Sequence, residues 1–255
     1  MGAKEFKAAI LQEAVQGKLV PQIASEGNAR DLLEEIKTEK AKLIKEGKLK
    51  KEKPLPPLYD TDGQLLSEVE VPFEIPENWC WCRLGEIVDF GKCENAEPDE
   101  INADDWVLDL EDIEKDTGKI LNFKSKEDVN SKSTKHIFKK GFVLYSKLRP
   151  YLNKCVIAPK DGYCTSEILP LDFGKFVYNK YAQLYLMSPF FVDYTTSLSF
   201  GVKMPRLGTE DGKKAPFPLP PLAEQKRIVA AIEKFMPLIE EYGKKEKELA
   251  ELLLR

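Results

Sequence analysis

Apolar and polar positions along the chain divide it into helical ends and a mixed middle. Near the N-terminus Phe6, Ala9, Ile10 and Ala14 recur at helical spacing. Gly17 is expected to end that helix and Pro21 to block its continuation. Asn28 suits the N-cap of a second helix, with Asp31 in its first turn. Leu32, Leu33, Ile36, Leu43 and Ile44 mark the buried face, and Gly47 is the expected stop. Residues 48–53 form a basic tail to that helix. The motif Leu55-Pro56-Pro57-Leu58 favours extended geometry, Asp62-Gly63 a turn, and Pro72 and Pro76 bracket the last irregular stretch.

From about residue 77 to residue 215 the pattern shortens to strand periodicity mixed with helices. Trp79 and Trp81 alternate with Cys80 and Cys82. Residues 142–145, 155–158 and 164–171 are rich in apolar and β-branched residues and predict strands. Residues 178–187 and 189–198 predict helices, while residues 116–119 and Asp161-Gly162 predict turns. After a second Leu-Pro-Pro-Leu at 219–222, apolar residues fall at Ile228, Ile232, Phe235, Ile239, Tyr242, Leu249 and Leu253. That heptad spacing predicts a long coiled-coil helix that pairs with a partner, and Pro237 should kink it. The fold class is therefore α+β: a mixed α/β domain flanked by long helices.

Composition narrows the class. No apolar run in the 255 residues approaches the roughly 20 needed to span a bilayer. No signal-peptide pattern opens the chain, so a cytoplasmic protein is the expectation. Five cysteines, at 80, 82, 93, 155 and 164, lack the spacing of a zinc site and read as reduced thiols. The net charge of −4 hides segregation: residues 94–116 hold eleven carboxylates and one lysine, whereas residues 131–160 hold seven lysines, one arginine and no acid. A local basic face of that kind can hold phosphate.

A search for catalytic chemistry finds little. Each of the seven Gly-Lys pairs is followed by a residue other than Ser or Thr, so none makes a P-loop. The Pro-Pro pairs are flanked by leucines, unlike the Asn/Asp-Pro-Pro-aromatic motif of amino-methyltransferases. Pro98-Asp99 is not followed by the Asp/Glu-x-Lys that a metal-dependent nuclease needs in a strand. His136, the single histidine, sits in a Lys-rich stretch and reads as a surface residue. Catalytic and metal-ligating residues are therefore expected to be absent. What remains is binding. Lys147, Arg149 and Lys154 are interleaved with Tyr145 and Tyr151 on a turn stiffened by Pro150, a pattern suited to contacting phosphate. Lys203 and Arg206 lie on a second, Gly-containing loop, and Ser166 and Lys135 are weaker candidates. The alternative, cations decorating an ordinary sheet edge, stays open on these residues alone.

Four stretches carry a family resemblance: AILQEA (9–14) with QGKLVPQ (16–22); VPFEIPENW (71–79) with RLGEI (83–87); residues 141–171; and PLPPLAEQKRIV (218–229). In this order they resemble the specificity subunit of type I restriction–modification systems. The resemblance implies a target-recognition domain between helical regions conserved in the family, helices packed as an antiparallel coiled coil, and double-stranded DNA as ligand. It divides the chain into an N-terminal helical region (1–53), a Pro-rich linker (54–76), a recognition domain (77–217) and a C-terminal helix (218–255). It implies partners too: a modification subunit that methylates adenine and a restriction subunit, with S-adenosylmethionine, Mg and ATP bound by those partners and not by this chain. The usual subunit has two recognition domains and this sequence has one, so it looks like a half-subunit. A homodimer through the C-terminal helix, reading two half-sites, is the matching expectation. The alternatives are a stand-alone nuclease or methyltransferase, and a coiled-coil scaffold that does not touch DNA.

Overall fold

The computed structural model describes every residue except Met1, Lys50, Glu52, 59–70, Pro72, Ser131, Leu254 and Arg255. The Asp62-Gly63 turn and Pro72 therefore lie outside the described residues. In chain order the elements are α1 (Ala3–Val15), α2 (Ala29–Lys45), β1 (Cys80–Arg83), α3 (Leu84–Ile87), β2 (Asn95–Ala96), β3 (Trp106–Leu108), β4 (Lys124–Ser125) and α4 (Lys126–Val129). There follow β5 (Lys135–Phe138), β6 (Val143–Ser146), β7 (Cys155–Ile157), β8 (Gly162–Cys164) and β9 (Ile168–Leu171). The chain ends in α5 (Asn179–Leu186), α6 (Pro189–Leu198), α7 (Thr209–Lys214), β10 (Pro216–Leu219) and α8 (Leu222–Leu253).

The helix signals act as the sequence predicts. Gly17 and Gly47 take φ of +72° and +73° just past α1 and α2, a backbone that glycine adopts without strain. The Asn28 side chain accepts a hydrogen bond from Arg30 N. Pro237 sits inside α8, which the structure keeps as one helix of 32 residues.

Three sheets build the middle. β7-β6-β9 is antiparallel, β1 pairs with β10, and the third sheet runs β2-β5-β8-β3-β4 with a parallel β3–β8 pair. The expected 164–171 strand splits into β8 and β9, which belong to different sheets. Gly162, expected in a turn, instead opens β8, where a Cβ would stand 2.9 Å from the Trp106 carbonyl oxygen. β6 explains why its run is apolar on both faces: Val143 and Tyr145 enter one core, Leu144 the other. The larger core joins α1, α2, α5, β1 and α8, and the smaller holds Trp106, Leu108, Phe138 and Val156.

Pro216 and Pro218 of β10 have no backbone N–H to donate, so only their carbonyls are left to be satisfied. Tyr181 and Tyr185, four apart on one face of α5, donate to the carbonyls of Pro218 and Pro216, each at 2.8 Å. The sequence stretches that looked most distinctive meet near the start of α8. Fully buried Glu224 accepts from Asn78 Nδ2 at 3.2 Å. Burial is the larger effect on this carboxylate and holds its pKa above the usual value, although neighbouring side-chain donors such as Asn78 act to lower it. Three residues on, Arg227 pairs with Glu26 at 2.6 Å and donates to the Pro21 carbonyl at 3.0 Å.

α1 runs antiparallel along α8. Ala3 N donates to Glu246 at 3.1 Å at one end, and Arg227 holds residues 21 and 26 at the other. This changes the reading of the heptad seam. Ile228, Ile232 and Ile239 are buried by the chain's own elements, while Phe235, Tyr242, Leu249 and Leu253 remain exposed. The seven positions do not share one partner-facing stripe, because α1 already covers part of the face that the periodicity marks.

Candidate nucleic-acid interface

The two loops singled out in the sequence come together. The first leaves β6 through Lys147 and Leu148 and turns at Arg149. Arg149 has φ of +50° and ψ of +61°, and Asn153 has +49° and +51°. A left-handed arginine directly before a proline is an uncommon backbone, held here by its surroundings. Between these two residues, Pro150–Leu152 form one tight turn that leaves Tyr151 exposed.

The second loop is closed by a backbone pair: Phe200 N donates to Arg206 O at 3.1 Å, and Arg206 N to Phe200 O at 2.9 Å. Gly201 takes φ of +103°, a value that favours glycine. The first loop then hydrogen-bonds to the second. Arg149 N donates to Pro205 O at 2.7 Å and Leu207 N to Lys147 O at 2.9 Å. On the other side, Lys147 N donates to Glu167 O at 3.0 Å. Three segments far apart in sequence thus form one surface carrying Ser166, Lys147, Arg149, Lys203 and Arg206.

The arginines have defined tasks within it. Arg149 Nη2 donates to Lys203 O at 3.3 Å, and its Nε is buried without a hydrogen-bond partner. Arg206 Nε pairs with Glu167 Oε1 at 3.0 Å, and Nη1 donates to Met204 O at 3.3 Å. Lys203 and Ser166 are exposed, and Lys147 is half-buried. Phe200, Val202 and Met204 project from the second loop, Val202 being 102% exposed. These three, and the acid Glu167, were missed in the sequence. Their apolar residues at every second position, 200, 202 and 204, are the signal that could have found the loop tip.

Three sequence readings need correction. Lys154 faces inward: its Nζ donates to Leu110 O at 2.6 Å, and burial lowers its pKa. Lys135 is buried in β5, with Nζ donating to Ser133 Oγ at 3.0 Å. Both lie within the electrostatic reach of the acidic 109–112 stretch. His136 is half-buried, not a surface residue; its Nδ1 donates to Ile168 O at 2.8 Å. Burial is the main cause that lowers its pKa.

Four of the five free cysteines are buried. Burial raises their thiols, Cys80 to about 12, and raises half-buried Cys93 to about 11. Such thiols are poor nucleophiles at neutral pH. Among the described residues, no group of three His, Cys, Asp or Glu is placed to hold a metal ion, and no helix is long and apolar enough to cross a membrane.

Comparison with known proteins gives a consistent pattern. Residues 76–251 match the family described as type I restriction modification DNA specificity domain. The type I restriction enzyme EcoAI specificity subunit of Escherichia coli is 33% identical over 91% of this chain and 39% of its own length. The EcoEI specificity subunit of the same organism is 31% identical over 92% of this chain and 41% of its own length. The chain thus spans about four tenths of the length of these curated relatives. Among solved structures, the HsdS subunit from Thermoanaerobacter tengcongensis superposes with a TM-score of 0.59 at 25% identity, covering 71% of this chain and 47% of that one. A chain from a study of complex assembly and conformational transition of the type I R-M system superposes with a TM-score of 0.60 at 26% identity, covering 70% and 47%.

Proposed function

Because the chain belongs to the type I restriction–modification DNA specificity family, we propose that it selects the DNA sequence on which partner subunits act and catalyses nothing itself. The observation that carries this reading is the two-loop surface, where Lys147 and Lys203 stand around a rigid turn. Cations of this kind orient a duplex through its phosphates, and base-edge contacts add discrimination. We assign residues 77–217 to recognition, with 1–53 and 218–255 as the helical platform and 54–76 as the linker. Methyltransferase and restriction subunits dock on that platform in the cytoplasm. They, not this chain, bind S-adenosylmethionine, Mg and ATP.

One recognition domain reads one half of a bipartite target, and pairing of two copies through α8 supplies the second half. The exposed apolar residues Phe235, Leu238, Tyr242, Leu249 and Leu252 favour that pairing, since they recur every three, four or seven residues along the outer side of the helix. Methylome sequencing of the host with and without the gene tests the reading. The expected result is one bipartite adenine-methylated motif that disappears with the gene. An unchanged methylome, or DNA turnover by the purified chain with Mg and S-adenosylmethionine alone, overturns it.

A further inference from the structure

The two arginines on the recognition surface do something other than reach outward. Arg149 comes from the first loop and Arg206 from the second, yet both donate to carbonyls of one short stretch, Lys203 and Met204. Arg149 Nε is buried, and Arg206 is also tied to Glu167. Beneath them the Phe200–Arg206 backbone pair closes the loop, and Arg149 N locks to Pro205 O. The result is a tip braced from two sides. What the brace presents is apolar: Phe200, Val202 and Met204 are 62%, 102% and 41% exposed. A solvated loop has no need of three exposed apolar side chains within five positions, and a phosphate clamp has no use for them.

We propose that residues 200–204 form an apolar wedge, led by Val202, that opens one base step of the bound duplex. The inference rests on the DNA-binding reading above and adds to it a read-out by deformation. Cations beside the tip supply the charge complementarity: Lys203 is within it and Lys147 is at its base. Apolar wedges of this kind unstack a step and kink the duplex by roughly 20–90°. The cost of opening a step depends on its sequence, so a wedge discriminates at a position that it never hydrogen-bonds. Arg149 and Arg206 are positioning residues in this scheme, because they hold the tip without touching the base step.

The test uses the full chain and a duplex that it selects from a randomised pool. Permanganate reactivity of thymines reports unstacking, and the mobility of circularly permuted duplexes reports bending. The wild-type chain is expected to make one step hyperreactive and to bend the duplex. Val202→Ala is expected to lose both effects with the salt dependence of binding unchanged, and Val202→Leu to restore them. Since the Val202 side chain is fully exposed, neither change should alter the melting temperature. A bound duplex that stays straight and unreactive with the wild-type chain overturns the wedge. So does a straight duplex whose affinity drops when uracil replaces thymine, because the tip would then be reading a thymine methyl in the major groove. Failure to select any duplex would instead overturn the DNA-binding reading, and the wedge with it.

Discussion

The side chain of Lys147 and that of Lys154 look alike in the sequence, but the fold gives them different tasks. Lys147 is half-buried on the two-loop surface, whereas Lys154 satisfies the Leu110 carbonyl. Lys147→Ala is therefore expected to lower the slope of log affinity against log salt by about 0.9, with unchanged stability. Lys154→Ala is expected to leave that slope alone and lower stability by ~1 kcal/mol, because a partly buried carbonyl loses its donor. Salt titrations of DNA binding and urea melts separate the two. Glu224 gives a prediction in pH. Burial holds its carboxyl above the ordinary range, so the folded chain keeps this proton where the unfolded chain releases it. Its contribution to stability is complete below the unfolded value and is lost as pH rises through the folded one. Glu224→Gln should flatten the fall in urea midpoint just above the ordinary glutamate value. An unchanged profile would mean that another group sets it. The sequence disclosed which residue types cluster near 147–154, but not which of them face inward. Lys154 and Lys135 meet an acidic stretch more than twenty residues away, and such a pairing leaves no local pattern.

Helix α8 shows the same limit one level up. Heptad spacing marks which positions want cover, and the structure gives a 32-residue helix over that span. Spacing does not say who provides the cover. Ile232 is 2% exposed because the chain's own helices pack on it, and Ile228 and Ile239 are buried likewise. Caps and stops were legible at Asn28, Gly17 and Gly47 because they act within a few residues. The short strands between residues 94 and 130 were not, since β2 and β4 have two residues each and gain their order from neighbours. Ile232→Ala should thus cost ~2–5 kcal/mol of folding stability, as expected of a filled core site. Leu249→Asp, by contrast, should shift the mass in solution toward one chain and lower the melting temperature only by the amount that pairing contributes at that concentration. Thermal melts and light scattering on the same two variants check both. If Leu249→Asp keeps the mass of the parent, pairing does not run through the outer side of α8.

At the scale of the whole molecule, the consequence of a mixed α/β body joined to a long helix is distance. A helix of 32 residues extends about 48 Å at about 1.5 Å per residue. α1 braces it only as far as Glu246, where Ala3 N meets the carboxylate. Beyond that point Leu249, Leu252 and Leu253 are exposed. In a two-fold pair this distal segment fixes how far apart the two recognition surfaces stand, and through them the gap between half-sites on the duplex. Inserting one heptad after Glu246 adds about 10 Å to the rod and preserves the apolar phase. On a duplex with a turn of roughly 34–36 Å, that corresponds to about three base pairs. The preferred gap should move by about that amount while the bases read in each half-site stay the same, because the two-loop surface is untouched. Inserting four residues instead rotates the distal stripe relative to the braced part and should impair pairing rather than reset the gap. Selection from duplex pools in which two half-sites are separated by a variable gap reads the outcome directly. A gap that ignores the added heptad would show that α8 does not set the spacing, and would move that role to the partner subunits.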